Sequence, residues 1–200
     1  MSIYALKGRF QDLLRPAVRR LYRRGITANT VTVAAAVVSL LVAAAVWCCA
    51  PAQPLLYLLL PLWMLLRMAL NAVDGMLARE FGQQSRLGAY LNELCDVIAD
   101  TALYLPFALL PGVSPLLVVL VAVAALVSEY AGVMGPLAGA SRRYDGPMGK
   151  SDRAFVFGAL GLAVAFAVPA IWVNGVLLLV LLLCLVTLCN RVRHGLAEAH

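Results

Sequence analysis

Residues Asn71 to Asp100 read NAVDGMLAREFGQQSRLGAYLNELCDVIAD, and they are the one stretch where polar and charged side chains recur at helical spacing inside otherwise apolar sequence. Asn71, Asp74 and Ala78 lie at i, i+3 and i+7, while Asn92, Asp96 and Asp100 lie at i, i+4 and i+8. Each set therefore lines one face of a helix. Arg79, Gly82, Gln83, Gln84, Ser85, Arg86 and Gly88 form a short polar connection that folds the second helix back antiparallel to the first. Counted inward from Arg79 and Leu87, Asp74 and Asn92 each sit five residues deep, which is about 7–8 Å. Asn71 and Asp96 come next, then Arg67 and Asp100. This register predicts a polar cavity built from Asn71, Asp74, Asn92 and Asp96, with an Arg67–Asp100 ion pair as its floor.

The surroundings of that stretch decide the class. Of 200 residues, 63% are hydrophobic and only 13% charged, a balance outside the range of soluble domains. Apolar runs long enough to cross a bilayer lie at about 30–50, 54–79, 87–110, 113–137, 153–171 and 174–190. The predicted fold is thus an all-α integral membrane protein of six transmembrane helices. Residues 1–25 form an amphipathic interfacial helix before them, 26–193 the transmembrane domain and 194–200 a tail. No apolar core ending in small residues is seen near Met1, so no cleaved signal peptide is expected.

The charges agree with the hydropathy. Every Lys and Arg except Arg67 falls on the amino-terminal segment or on one set of loops and ends, whereas the loops near Pro51–Pro54, Pro111–Pro115 and Trp172–Asn174 carry no charge. By the positive-inside rule both termini are cytoplasmic. The net charge of +6 is then explained by topology and anionic lipid headgroups, not by nucleic acid. Cys48, Cys49, Cys95, Cys184 and Cys189 have no metal-ligand spacing and read as packing residues.

Along the chain, Ile3, Leu6, Phe10, Leu13, Leu14, Ala17, Val18 and Leu21 make an apolar stripe suited to a membrane surface. Pro16 is expected to split or kink this helix and Gly25 to end it. Thr27 or Asn29 caps the next helix, whose N-terminus also suits a phosphate. Arg67, Glu93, Asp96, Asp100 and Glu129 fall inside apolar helices. An ionised group at mid-bilayer costs roughly 2.5–3.5 kcal/mol even on lenient scales, so these must be paired, hydrated or metal-bound. Gly132, Gly135 and Gly139 are read as helix-packing residues. The polar loop Ser141–Arg153 returns bases to the cavity's side, and the fifth and sixth transmembrane helices read as scaffold without internal charge.

The run Asp74-Gly75-x2-Ala78-Arg79-x8-Gly88-x3-Asn92-x3-Asp96 resembles the signature of class I CDP-alcohol phosphatidyltransferases, D-x2-D-G-x2-A-R-x8-G-x3-D-x3-D, and Thr27-Ala28-Asn29-x2-Thr32 resembles the family's P-N-x2-T helix opening. The resemblance implies transfer of a phosphatidyl or related phosphate group from a CDP-linked lipid to an alcohol, with release of CMP, in phospholipid synthesis. It implies that Asn29, Thr32, Gly75, Ala78, Arg79 and Gly88 line the CDP site, that Asp74 binds metal, and that Asp96 stands where the family places a general base. Mg2+ or Mn2+ is the implied cofactor, with Asn71 and Asn92 completing a ligand set beside Asp74 and Asp96. Because two of the four acidic positions are amides here, without charge, one well-occupied ion is expected instead of two. Lys150, Arg153 and Glu129 are candidate acceptor residues; Glu129 equally suits a pairing role. The acceptor alcohol stays open, with a phosphorylated one favoured by Lys150 and Arg153, and a homodimer is expected. Two other readings stand beside this one: a catalytically impaired member that binds lipid or nucleotide, and a small-molecule transporter with Arg67, Asp100 and Glu129 along its path.

Overall fold

The computed structural model describes the backbone of residues 3–49 and 53–199 and the side chains from residue 10 onward. Ile3 and Leu6 of the predicted stripe, with Lys7 and Arg9, lie outside the described side chains, and Pro51 lies outside the described residues. The chain is 83% helical, without strands among the described residues. Its helices are α1 (Ile3–Arg23), α2 (Ala28–Cys49), α3 (Leu59–Glu80), α4 (Arg86–Tyr104), α5 (Pro115–Met134), α6 (Lys150–Ala165) and α7 (Ala170–Glu198). Short 3₁₀ turns at Pro54–Leu58, Leu105–Leu109 and Gly135–Ala138 extend α3, α4 and α5.

Four of these segments are long and apolar enough to cross a membrane: Ala28–Cys49, Pro54–Glu80, Pro115–Ala138 and Ala170–Glu198. α4 and α6 do not reach that measure. The reason for α4 is its load of Arg86, Glu93, Asp96 and Asp100, and for α6 its 16-residue length. Polar side chains that fill a bundle interior lower the hydropathy of the helix that carries them.

α1 runs through Pro16 as one helix, so the proline does not split it. Pro16 is exposed, and the carbonyl it leaves without a helical partner is that of exposed Asp12, which solvent can satisfy. α1 also does more than lie on a surface. Val18 is fully buried against Val73, Met76 and Leu77, with Leu14 and Leu21 beside it, while Phe10 and Leu13 face outward. Arg15 pairs with Glu80 at 3.0 Å, and Tyr22 lies 4.4 Å from Phe81, so α1 is clamped to the end of α3. Gly25, at φ +75°, turns the chain into α2, and Ile26 N donates to the Leu21 carbonyl at 3.1 Å, a bond that closes the helix end.

The apolar core joins α2 through α7 at the end away from the bases. Tyr104 stacks on Phe157 at 3.7 Å, Phe107 meets Phe157 edge-on at 5.5 Å, and the Tyr57 hydroxyl donates to the Pro106 carbonyl at 2.7 Å. One expectation is extended here and one corrected. Gly132 serves more than helix–helix packing: a Cβ there would meet the Arg143 carbonyl at 2.6 Å as well as Arg191 Nη1 of α7 at 3.2 Å, so the glycine makes room for the following loop too. The last helix does not stop near 190 before a separate tail, because α7 continues to Glu198. Arg191 Nε donates to the Asp145 carbonyl at 3.3 Å, the Ser141 hydroxyl to Glu198 at 2.9 Å, and Arg143 also pairs with Glu198. The 141–149 loop thus holds the extended helix in place.

Candidate active site

Two groups of polar residues meet at the basic end of the bundle. The first is assembled by α2, α3 and α4. The Thr32 hydroxyl lies 2.8 Å from Asp74 Oδ2 and 3.1 Å from the Ala28 carbonyl, which ties the first turns of α2 to α3. A Cβ on Gly88 would meet Asn29 Oδ1 at 2.8 Å, so α4 approaches α2 only because residue 88 lacks a side chain. Thr27 caps α2 through Thr30 N at 3.2 Å, and Gln83 accepts from Ala28 N at 2.7 Å. The Arg79 guanidinium lies over Gly75. Asn29, Thr32, Asp74, Gly75, Arg79 and Gly88 therefore come together around one helix N-terminus. Asp74 is only 6% exposed, yet among the described residues it has no ion-pair partner.

The second group is an ion network. Arg67 pairs with Asp100, and its other terminal nitrogen donates to Asp96 Oδ1 at 2.9 Å and to the Asp96 carbonyl at 3.1 Å. Lys150 pairs with Asp96 Oδ2. Arg153 reaches Glu129 at 2.9 Å, Asp100 at 3.4 Å and the Met148 carbonyl at 3.0 Å. Arg191 meets Glu129 at 3.1 Å and the Ser128 carbonyl at 2.6 Å. Arg142 grips Glu93 with two bonds, 2.7 and 2.6 Å, and lies 3.5 Å from Glu129. Five bases (Lys150, Arg67, Arg153, Arg191, Arg142) thus meet four acids (Asp96, Asp100, Glu129, Glu93). Glu93, Asp96, Asp100, Arg142, Lys150 and Arg153 line a narrow crevice.

The network corrects parts of the sequence reading. Arg67 does not only floor the cavity; it also holds Asp96. Glu129 is engaged by Arg153 and Arg191, which satisfies its pairing role. Arg153 is 1% exposed, so it lies beneath Lys150 instead of beside it. α6 and α7 are not charge-free scaffold, since they carry Arg153 and Arg191 into the network. Arg191 was the functional residue least visible in the sequence, although Thr187, Arg191 and Gly195 at four-residue spacing mark its buried stripe. Gln83 as a cap on α2 leaves no local signal, because only tertiary folding brings it there. Among the cavity residues, Asn71 Nδ2 lies 3.2 Å from Asp96 Oδ1.

Three buried polar atoms, Arg142 Nη1, Arg153 Nε and the Tyr104 hydroxyl, have no well-formed hydrogen bond among the described residues, and the last two belong to neighbouring side chains. Unmet donors of this kind are rare in native interiors, and each needs an explanation such as a ligand or an ion. The opposite demand, for cations, is smaller. No cluster of three or more His, Cys, Asp or Glu suited to a metal is present among the described residues. Both Asp96 oxygens already face donors. Asp74, buried without a base, is the carboxylate of the cavity open to a divalent ion, whereas Asp96 is already engaged.

Asp74, Gly75, Ala78 and Arg79 of α3, the glycine-relieved approach of α4 and the buried bases thus gather at one end of an apolar bundle. The sequence profile of the CDP-alcohol phosphatidyltransferase family matches residues 25–189, and the chain belongs to that family. It is 47% identical to the inner membrane protein YnbA of Escherichia coli (strain K12) over 194 residues, 96% of each chain. Archaetidylinositol phosphate synthase of Aeropyrum pernix is 34% identical over 95 residues, 48% of each chain. Among solved structures, the fold is shared with Mycobacterium tuberculosis phosphatidylinositol phosphate synthase (PgsA1). The form in complex with manganese and citrate has a TM-score of 0.74 at 22% identity, covering 91% of this chain and 88% of that one. The form with CDP-DAG bound has a TM-score of 0.71 at 21% identity, covering 90% and 92%.

Proposed function

We propose that this protein transfers a phosphatidyl group from a CDP-linked lipid to an alcohol that itself bears a phosphate, releasing CMP on the cytoplasmic side of the bacterial inner membrane. All six helices α2–α7 span the bilayer in this reading, with both termini cytoplasmic, because the bases gather at one end. α4 and α6 are admitted by pairing their charges inside the bundle. The observation that carries the choice of acceptor is the unmet donor Arg142 Nη1 in a network holding one base more than it has acids. A phosphate dianion would satisfy that donor and balance the extra base.

In the donor half, Asn29, Thr32 and Gly88 hold the nucleotide against the first turn of α2, and Arg79 meets a phosphate oxygen. A divalent ion on Asp74, when bound, would neutralise the diphosphate. In the acceptor half, Arg142, Lys150 and Arg153 hold the acceptor's phosphate so that its hydroxyl faces the lipid-bearing phosphorus. The hydroxyl oxygen bonds to that phosphorus as the bridging P–O bond to CMP breaks, and Asp96, which lines the same crevice, takes the hydroxyl proton. The bases draw the anionic acceptor into position; the carboxylate completes the displacement.

The test is CMP release by the purified chain from CDP-diacylglycerol with a panel of alcohols. Release stimulated by glycerol phosphate or inositol phosphate and not by glycerol, inositol or serine is the expected result. Equal release with the unphosphorylated alcohols would remove the acceptor assignment, and lipid binding without release under any condition would favour an impaired member of the family.

A further inference from the structure

Asn71 and Asp96 meet in the cavity, and Lys150 brings a built-in cation to them. Of the four cavity positions only Asp74 and Asp96 are charged. Asn71 turns its amide N–H toward Asp96 Oδ1 at 3.2 Å, a bond that an aspartate at position 71 would replace by repulsion. On the other side, Lys150 of α6 pairs with Asp96 Oδ2. Asp96 is therefore met by Arg67, Asn71 and Lys150, whereas Asp74 has no charged partner among the described residues. Lys150 is the exposed member, with 41% of its side chain accessible, so the same ammonium that holds Asp96 also faces the crevice.

We infer that Lys150 takes the place of a divalent cation beside Asp96, so that the chain binds one metal ion, at Asp74, where a four-carboxylate cavity would bind two. The inference rests on the reading of this cavity as the transfer site, and it deepens that reading by assigning the second positive charge to a side chain. Asn71 and Lys150 are matched: the neutral amide removes the charge that would attract a second ion, and the ammonium supplies what the ion would have given. A fixed monovalent charge also cannot be chelated away.

Manganese binding to the purified full chain, counted by calorimetry and by the electron spin resonance spectrum, tests this without reference to turnover. One Mn2+ per chain is expected for the unmodified protein. Asn71→Asp with Asn92→Asp should still bind one while Lys150 is present, and adding Lys150→Met should admit a second ion, seen as dipolar broadening between neighbouring manganese ions. In the otherwise unmodified chain, Lys150→Met alone should tighten Mn2+ binding about tenfold by removing a nearby like charge. Two ions in the unmodified protein, or Mn2+ affinity indifferent to Lys150→Met, would overturn the inference. Binding of CDP-diacylglycerol, followed separately, distinguishes the two levels. A chain that binds the lipid and one Mn2+ but releases no CMP sinks the transferase reading and leaves the single-ion site standing.

Discussion

Asp74 and Asp96 sit on antiparallel helices in one cavity, and their surroundings differ sharply. Asp74 accepts from the Thr32 hydroxyl and has no base beside it among the described residues. Asp96 is held by Arg67, Lys150 and Asn71, and through Arg67 it joins a chain of ion pairs reaching Asp100, Arg153, Glu129 and Arg191. The first carboxylate is left open for something that arrives, and the second is oriented by the network around it. A bundle in lipid gains little from hydrophobic association between its helices, so buried ion pairs and hydrogen bonds take over the task of fixing helix positions, at a cost that only complete pairing offsets. The difference teaches which groups can be changed without losing the fold.

The largest effect should come from breaking the network at its centre. Glu129→Gln leaves Arg153 and Arg191 without their shared carboxylate, and removing one partner of a buried pair costs about 3–5 kcal/mol. Thermal unfolding in detergent should show it, whereas Asp74→Asn should cost about 1 kcal/mol or less. Equal losses in the two variants would erase the contrast. Next in size, Asp96→Asn should lower kcat by about 10²–10⁴-fold, the usual worth of a general base, while binding of the CDP-lipid is retained; titrating the lipid against the variant checks the second half. Gly88→Ala should come third. Its methyl meets Asn29 Oδ1, and crowding of this kind costs about 1–3 kcal/mol, read here as weaker lipid binding more than as lost stability, since Asn29 can rotate away.

The smallest effect lies outside the membrane, in the loop that tethers α7. Arg143, and after it His194, hold the Asp145 carboxyl down to about 2. A depressed folded-state value means that this contribution is complete above the unfolded value near 4 and is lost as pH falls toward 2. Unfolding curves of the unmodified chain and Asp145→Asn should therefore differ by a small margin above pH 4 and converge near pH 2. A gap that widened on acidification would contradict the sign.

Much of this arrangement was legible in the sequence because lipid imposes strict rules. Six apolar runs mark the six helices that form the bundle, and counting residues inward from Arg79 and Leu87 brings Arg67 level with Asp100, where the two side chains meet. Spaced motif residues on α2, α3 and α4 likewise converge, since helical periodicity alone places them on facing sides. What stayed hidden depends on contacts between distant segments. Arg153 and Arg191 stand at the ends of apolar runs, where orientation signals and site residues look alike, so their burial against Glu129 could not be read. Gly132 reads as a helix-packing residue, and sequence does not show that the 141–143 loop also folds back onto it. Pro16 does not split α1, because at an exposed position the lost hydrogen bond is cheaply replaced by water.

In the proposed reaction the Asp74 side receives the CDP-linked donor and the Lys150 side the anionic acceptor. Steady-state CMP release with both substrates varied separates the two sides in two variants, Asn29→Ala and Lys150→Met. Asn29→Ala should raise the KM for the CDP-lipid and leave the acceptor KM unchanged, while Lys150→Met should do the reverse. Two variants that raise the same KM, or a Lys150→Met protein with an unaltered acceptor KM, would contradict it.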